Sequence, residues 1–196
     1  MRHLKFFSLL IAITCFAMTS CNNANDNKPK DSEKAADKAN EAKTETNRSE
    51  EDASLFVNAV SSDYFEVASA EVASTMATQA SVKEYAGMMM AIHKTMMDET
   101  KMLAGKKAFT VPGAMANDYM TNIEDMKKWT KGKEFDTKYI NGQIDQHKKI
   151  LDNLEKRMAA TADTDIKAWT EKASSEVRKH LDRANMIKEE LGKKYK

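Results

Sequence analysis

The sequence predicts an all-α protein, an antiparallel four-helix bundle of ferritin-like connectivity with one short extra helix. Three observations carry that expectation. The 196 residues include only two prolines and six glycines, while Ala, Lys, Glu and Met are abundant, a composition that favours helix over strand. After residue 50 only one plausible turn pair, Pro112-Gly113, interrupts the chain. Apolar residues also recur at alternating steps of three and four through several long stretches, the period of a helix with one buried face.

The chain opens on a segment unlike the rest. Arg2, His3 and Lys5 precede an apolar run from Phe6 to Ala17, and Met18-Thr19-Ser20-Cys21 closes it with small residues and a cysteine. The run is about half the ~20 residues a membrane-spanning helix requires, so residues 1–20 are expected to be a cleaved lipoprotein signal peptide. Cys21 then becomes the acylated first residue, a palmitate-type anchor to the cell envelope. Asn22 is not the Asp that retains such proteins at the inner membrane, which favours the periplasmic side of the outer one. With Cys15 removed and Cys21 lipidated, no disulfide is available and stability must come from burial.

Residues 21–48 contain no large apolar side chain and are dense in Asn, Lys, Asp, Glu, Ala and Thr. Such a stretch buries too little surface to offset the entropy of ordering, and it is expected to be a flexible tether reaching about 30 Å. The bundle domain is then expected over 49–196. Ser49-Glu50-Glu51-Asp52 has the character of a helix start, because the acids complement the helix dipole. Four long helices are expected at about 49–78, 80–103, 134–160 and 164–191. A shorter one, about 114–131, follows the break at Gly105–Gly113, Gly132 separates it from the third long helix, Asp163 or Thr164 caps the fourth, and Gly192 ends it.

The charge is almost balanced, Lys+Arg 31 against Asp+Glu 30. No footprint for nucleic acid follows from it. Phosphate-loop, dinucleotide and Gly-x-Ser-x-Gly motifs are missing, and no catalytic residue is assigned. The first reading is a membrane-anchored, non-enzymatic binding or stress-related protein, with a second copy or another envelope protein as partner.

The alternative reading is a metal-binding protein. Beyond His3 the chain has three histidines, and each falls in the apolar stripe of a different helix: His93, His147 and His180. Counted from the expected turn near Ala162, His147 and His180 differ in height by only about 4.5 Å, at 1.5 Å rise per residue. Counted from the turn near Gln79, His93 and Glu66 also stand almost level. Glu66, His93, His147 and His180 therefore form a candidate site for zinc, copper or iron. A second, softer set is Met89, His93 and Met96 on one helical face, suited to a cuprous ion, although methionine at core spacing is also ordinary packing. An oxidative di-iron centre is disfavoured: the residues three before the histidines are Met90, Ile144 and Val177, not glutamates.

An ordered set of segments resembles one bacterial family. Phe56-Val57, Glu66-Val67, and Val82-Lys83-Glu84-Tyr85-Ala86 with Met89 and His93 come first. Phe135-Asp136 follows with Tyr139 and His147, then Asp165-Ile166-Lys167-Ala168-Trp169 and Val177-Arg178-Lys179-His180-Leu181 with Ala184. Over about residues 53–190 the pattern is similar to the ferritin-like, envelope-exported family catalogued as a domain of unknown function (four-one-four-two in that series). The resemblance implies a ferritin-like bundle and export, and no activity. Its pattern places Asp directly before the histidines of the second and third long helices, where this chain has Ile92 and Gln146, with Asp145 one position earlier. If those aspartates orient the imidazoles, their replacement counts against a metal site here.

Overall fold

The computed structural model describes residues 31–196, so the signal, the Cys21 anchor and the first part of the expected tether lie outside the described residues. Six helices follow: α1 Ser32–Glu41, α2 Asn47–Met76, α3 Ala80–Lys106, α4 Asn117–Met126, α5 Lys133–Ala160 and α6 Thr164–Lys194. No strand occurs among the described residues. No helix among them is long and apolar enough to cross a membrane.

The four long helices form two tight hairpins, α2–α3 and α5–α6, packed face to face. Contacts at the two ends of the bundle set the direction of every helix. At one end the α2–α3 turn meets the start of α5 and the end of α6: Thr78 N donates to Asp136 Oδ1 at 3.0 Å, and Gln79 Nε2 to Tyr195 Oη at 2.9 Å. At the other end Lys107, just past α3, grips Asp163 at the α5–α6 turn at 2.7 Å. The connection from α3 to α5 must therefore return along the whole bundle, with α4 in it, leaving α3 parallel to α5. This is the ferritin-like path, one long crossover between two hairpins.

The core follows the stripes. Phe65, Val82, Tyr85, Met89, Phe135 and Ile187 belong to a large apolar cluster toward the α2–α3 end, and α4 extends it by stacking Tyr119 on Phe65 at 4.6 Å. Toward the other end Phe56 stacks on Trp169 at 4.7 Å, beside a second group of Leu154, Ala173 and Val177. Arg157 there is buried and bridges to Asp52 at 2.8 Å and to Glu51, clamping the end of α5 onto the start of α2.

Two boundaries depart from expectation. The short helix spans only Asn117–Met126, because the chain leaves it through a turn at Lys127–Trp129 and reaches Gly132 at φ 96°, a left-handed conformation that suits glycine. The second departure is larger. Residues 31–48, expected to belong to the flexible tether, contain α1 and the start of α2. Asp31 caps α1, accepting from Glu33 N at 3.1 Å, and Thr46 caps α2. The reason α1 docks is polar as well as apolar. Ala36 and Asn40 are buried, and Asn40 pairs with the Thr110 backbone in both directions, at 2.8 and 2.7 Å.

Candidate metal centre

Helix length and direction bring the histidines to one level. His93 lies 13 residues into α3 from Ala80, His147 lies 14 into α5 from Lys133, and His180 lies 14 before the end of α6 at Lys194. On α2 the residue at that level is Asp63, 13 before Met76, while Glu66 sits nearly one turn closer to the α2–α3 end. All five side chains are buried: His147 and Glu66 are 0% exposed, His180 1%, His93 2% and Asp63 5%.

The three rings face one another. Their centres are separated by 5.8 Å (His93–His147), 5.1 Å (His93–His180) and 5.4 Å (His147–His180). One nitrogen from each lies within 4.8 Å of the others. An ion held tetrahedrally at ~2.05 Å by three imidazoles would put the ring centres about 5 Å apart, so the observed spacing needs only a small contraction.

The far side of two rings is already fixed. His93 Nδ1 meets Asp63 Oδ1 at 2.7 Å, and His147 Nδ1 donates to the Gln143 carbonyl at 2.9 Å. A carbonyl only accepts, so in His147 the proton resides on Nδ1 and Nε2 carries the lone pair. The carboxylate does the same for His93. The Nε2 atoms of His93, His147 and His180 are all buried without a hydrogen-bond partner, as is His180 Nδ1. Each such atom costs about 1–3 kcal/mol unless something meets it.

Electrostatics follow burial and the carboxylates. Burial pulls the His180 imidazole down to about 3, helped by the charges its two neighbours would carry, so this ring is neutral and available as a donor at ordinary pH. Burial also lowers His147, against the opposing pull of Glu66. For His93 burial acts the same way, but the hydrogen bond to Asp63 and the Glu66 and Asp63 charges together outweigh it and raise it. Burial raises Asp63, with the His93 bond opposing.

The structure places the sequence candidates unequally. His93, His147 and His180 converge. Glu66 stands beside them, on the Nδ1 side of His147: Oε1 is 3.9 Å from that nitrogen and has no hydrogen-bond partner, and Oε2 accepts from Gln143 Nε2 at 2.8 Å. Met89 and Met96 flank His93 but join different apolar clusters, Met89 with Tyr85 and Ile140, Met96 with Leu154 and Val177. The orienting groups also differ from the resemblance. Asp63 on α2 and a main-chain carbonyl do the work expected of aspartates at positions 92 and 146. Asp63 stands three residues before Glu66, a spacing that puts both on one helical face; a backbone carbonyl leaves no mark in a sequence.

A cleft of about 840 Å³ between α2 and α5 reaches this layer at Asp63 and His93. Across its inner end Gln146 Nε2 donates to Ser62 Oγ at 3.3 Å.

The fold and the site together define a helical-bundle protein with three histidines gathered in its core. Residues 35–187 match the family described as Domain of unknown function (DUF4142), and the chain belongs to that family. No curated protein and no solved structure is similar enough to count as a match.

Proposed function

We propose that this protein binds a single transition-metal ion in the core of its bundle, with His93, His147 and His180 as the ligands. The observation that carries the reading is that three buried imidazoles from three helices each bring a nitrogen within 4.8 Å of the others, while the Nε2 of every one of them lacks a hydrogen-bond partner. Imidazole donors suit zinc, copper or iron and not calcium or magnesium, which take oxygen ligands. Asp63 and the Gln143 carbonyl hold the rings, as groups behind metal-bound histidines commonly do. Glu66 and Asp63 supply negative charge that offsets the ion's.

Metal analysis of protein purified without a histidine tag, after exposure to zinc, copper and ferrous ions, tests this. Close to one ion per chain is expected, and none in His147→Ala. Protein that emerges metal-free, with an unchanged melting temperature, would overturn it.

We further propose that the bundle works at the envelope, held by lipid on Cys21; the basic, apolar and small-residue succession of Met1–Cys21 supports this. Cells fed labelled palmitate should label the wild-type chain and not Cys21→Ser. Equal labelling of both would refute the anchor.

A further inference from the structure

The three histidines leave the ion short of a ligand. Zinc and its spectroscopic substitute cobalt are four-coordinate with three protein donors plus one exchangeable position in open sites. Glu66 does not fill that position from where it stands, since its Oε1 approaches the Nδ1 side of His147 and Oε2 is engaged by Gln143. The cleft between α2 and α5 meets the triad at His93. It runs from there toward the α5–α6 end as far as Ala160, thirteen residues beyond His147, or about 20 Å along the helix.

Its chemistry changes along that length. The inner end is polar, with Ser62, Asp63 and Gln146. Beyond it an apolar strip of Leu55, Met96, Ile150, Leu154, Trp169 and Val177 is bordered by polar and charged side chains, among them Asn58, Lys149, Asn153 and Arg157. Several of these, Leu55, Met96, Ile150 and Trp169 among them, are only half-buried, so the wall is accessible. The volume falls in the range of pockets that enclose a small organic molecule, and is far more than a water molecule occupies.

From this we infer that the core ion has an open coordination position, which takes the donor atom of a small organic ligand whose apolar body lies along the α2–α5 cleft. The inference rests on the metal reading above, and the experiment separates the two. Cobalt(II)-loaded protein would be titrated with imidazole and with 4-phenylimidazole, following the visible d–d bands. Both should shift the bands saturably, because either azole can donate one nitrogen. The phenyl compound should bind at least about tenfold more tightly, since its ring is removed from water by the apolar wall. Ile150→Asn should collapse that preference toward equality while leaving imidazole affinity unchanged. Leu55→Asn, on the opposite helix, serves as the independent check should the first variant fold poorly.

Failure of the wild-type chain to take up cobalt, and zinc, copper and ferrous ions with it, would overturn the metal reading itself. Cobalt bands that neither azole perturbs would leave the metal site standing and overturn the open position. Equal affinity for the two azoles, or a phenyl preference that survives both cleft variants, would overturn the cleft as the ligand's seat.

Discussion

Two of the buried polar centres in this bundle are built on opposite plans. At the α2–α3 end the Asp136 carboxylate is fully buried and fully engaged: Thr78 N, Thr78 Oγ1, Gln79 N and Tyr195 Oη all donate to it. It ties the α2–α3 turn, the start of α5 and the end of α6 into one knot, and it meets backbone donors at a helix start that has no side-chain cap of its own. About three turns further along α5, four imidazole nitrogens and Glu66 Oε1 are buried with nothing to meet them. A polar group satisfied within the protein stabilises the fold; a set left unsatisfied at matching heights adds a desolvation cost, which the proposed metal ion would relieve.

The sharpest way to break this comparison is to remove each centre in turn. Asp136→Ala leaves two backbone N–H groups and two hydroxyls without their acceptor, and should cost about 3–5 kcal/mol, given ~1–3 kcal/mol for each buried donor left unmade and partial rescue by water. At roughly 2–4 °C per kcal/mol for a domain of this size, calorimetry should show a melting temperature lower by at least ~6 °C. Any variant protein that remains folded should still carry its metal. A loss below about 1 kcal/mol would mean that the carboxylate is not the knot described.

His180→Leu is the converse. Neither ring nitrogen of His180 has a partner, so an apolar side chain of similar size removes a desolvation cost and breaks no hydrogen bond. The metal-free variant should match the metal-free wild type or exceed it by up to about 1–2 kcal/mol in urea, while stoichiometric metal binding is lost. Retained metal would sever His180 from the site; a large destabilisation would show that the ring has a structural role.

These two centres were not equally legible beforehand. The stripes that place Met89, Ile140 and Ile187 inward, and with them the histidines, are periodic, and a constant rise per residue converts residue counts into heights. That is why the convergence of three rings was foreseeable. The Asp136 knot was not, because it joins residues 58 and 59 positions apart through turn geometry that no stripe encodes. The α1 helix escaped for a related reason. Its docking rests on Ala36 and on an asparagine bound to a distant backbone, and neither resembles an apolar anchor. Glu66 was placed level with the histidines by counting from the turn, yet α2 ends at Met76, and the level residue is Asp63.

Asp63 sharpens the comparison from within the proposed metal centre. Its carboxylate holds His93 without belonging to the triad, so Asp63→Asn should weaken zinc or copper binding by about 10–100-fold and leave stoichiometry intact at saturating metal. Competition against a chelator of known affinity measures this. A change under about threefold would reduce Asp63 to a bystander.

A third carboxylate, half exposed, completes the series with the smallest effect. Asp163 caps α6 by accepting from Asp165 N and Ile166 N, and Lys107 grips the same group from the end of α3. The Lys107 hydrogen bond, with those backbone donors against the cost of partial burial, holds its carboxyl below the usual range. The lowered value fixes the sign: the stabilisation is complete above the unfolded carboxyl's value of ~3.9 and disappears as pH falls through the folded one. Asp163→Ala removes cap and ion pair together and should cost about 1 kcal/mol at pH 7, most of it from the cap. Asparagine caps a helix almost as well, so Asp163→Asn isolates the ion pair, which solvent screens to a few tenths of a kcal/mol at most. The gap between wild type and Asp163→Asn in urea midpoint should narrow as pH drops below ~4, and at neutral pH it should shrink further in 0.5 M salt. If the gap widens in acid instead, Asp163 is protonated more readily in the folded chain than in the unfolded one, and the Lys107 grip does not operate as described.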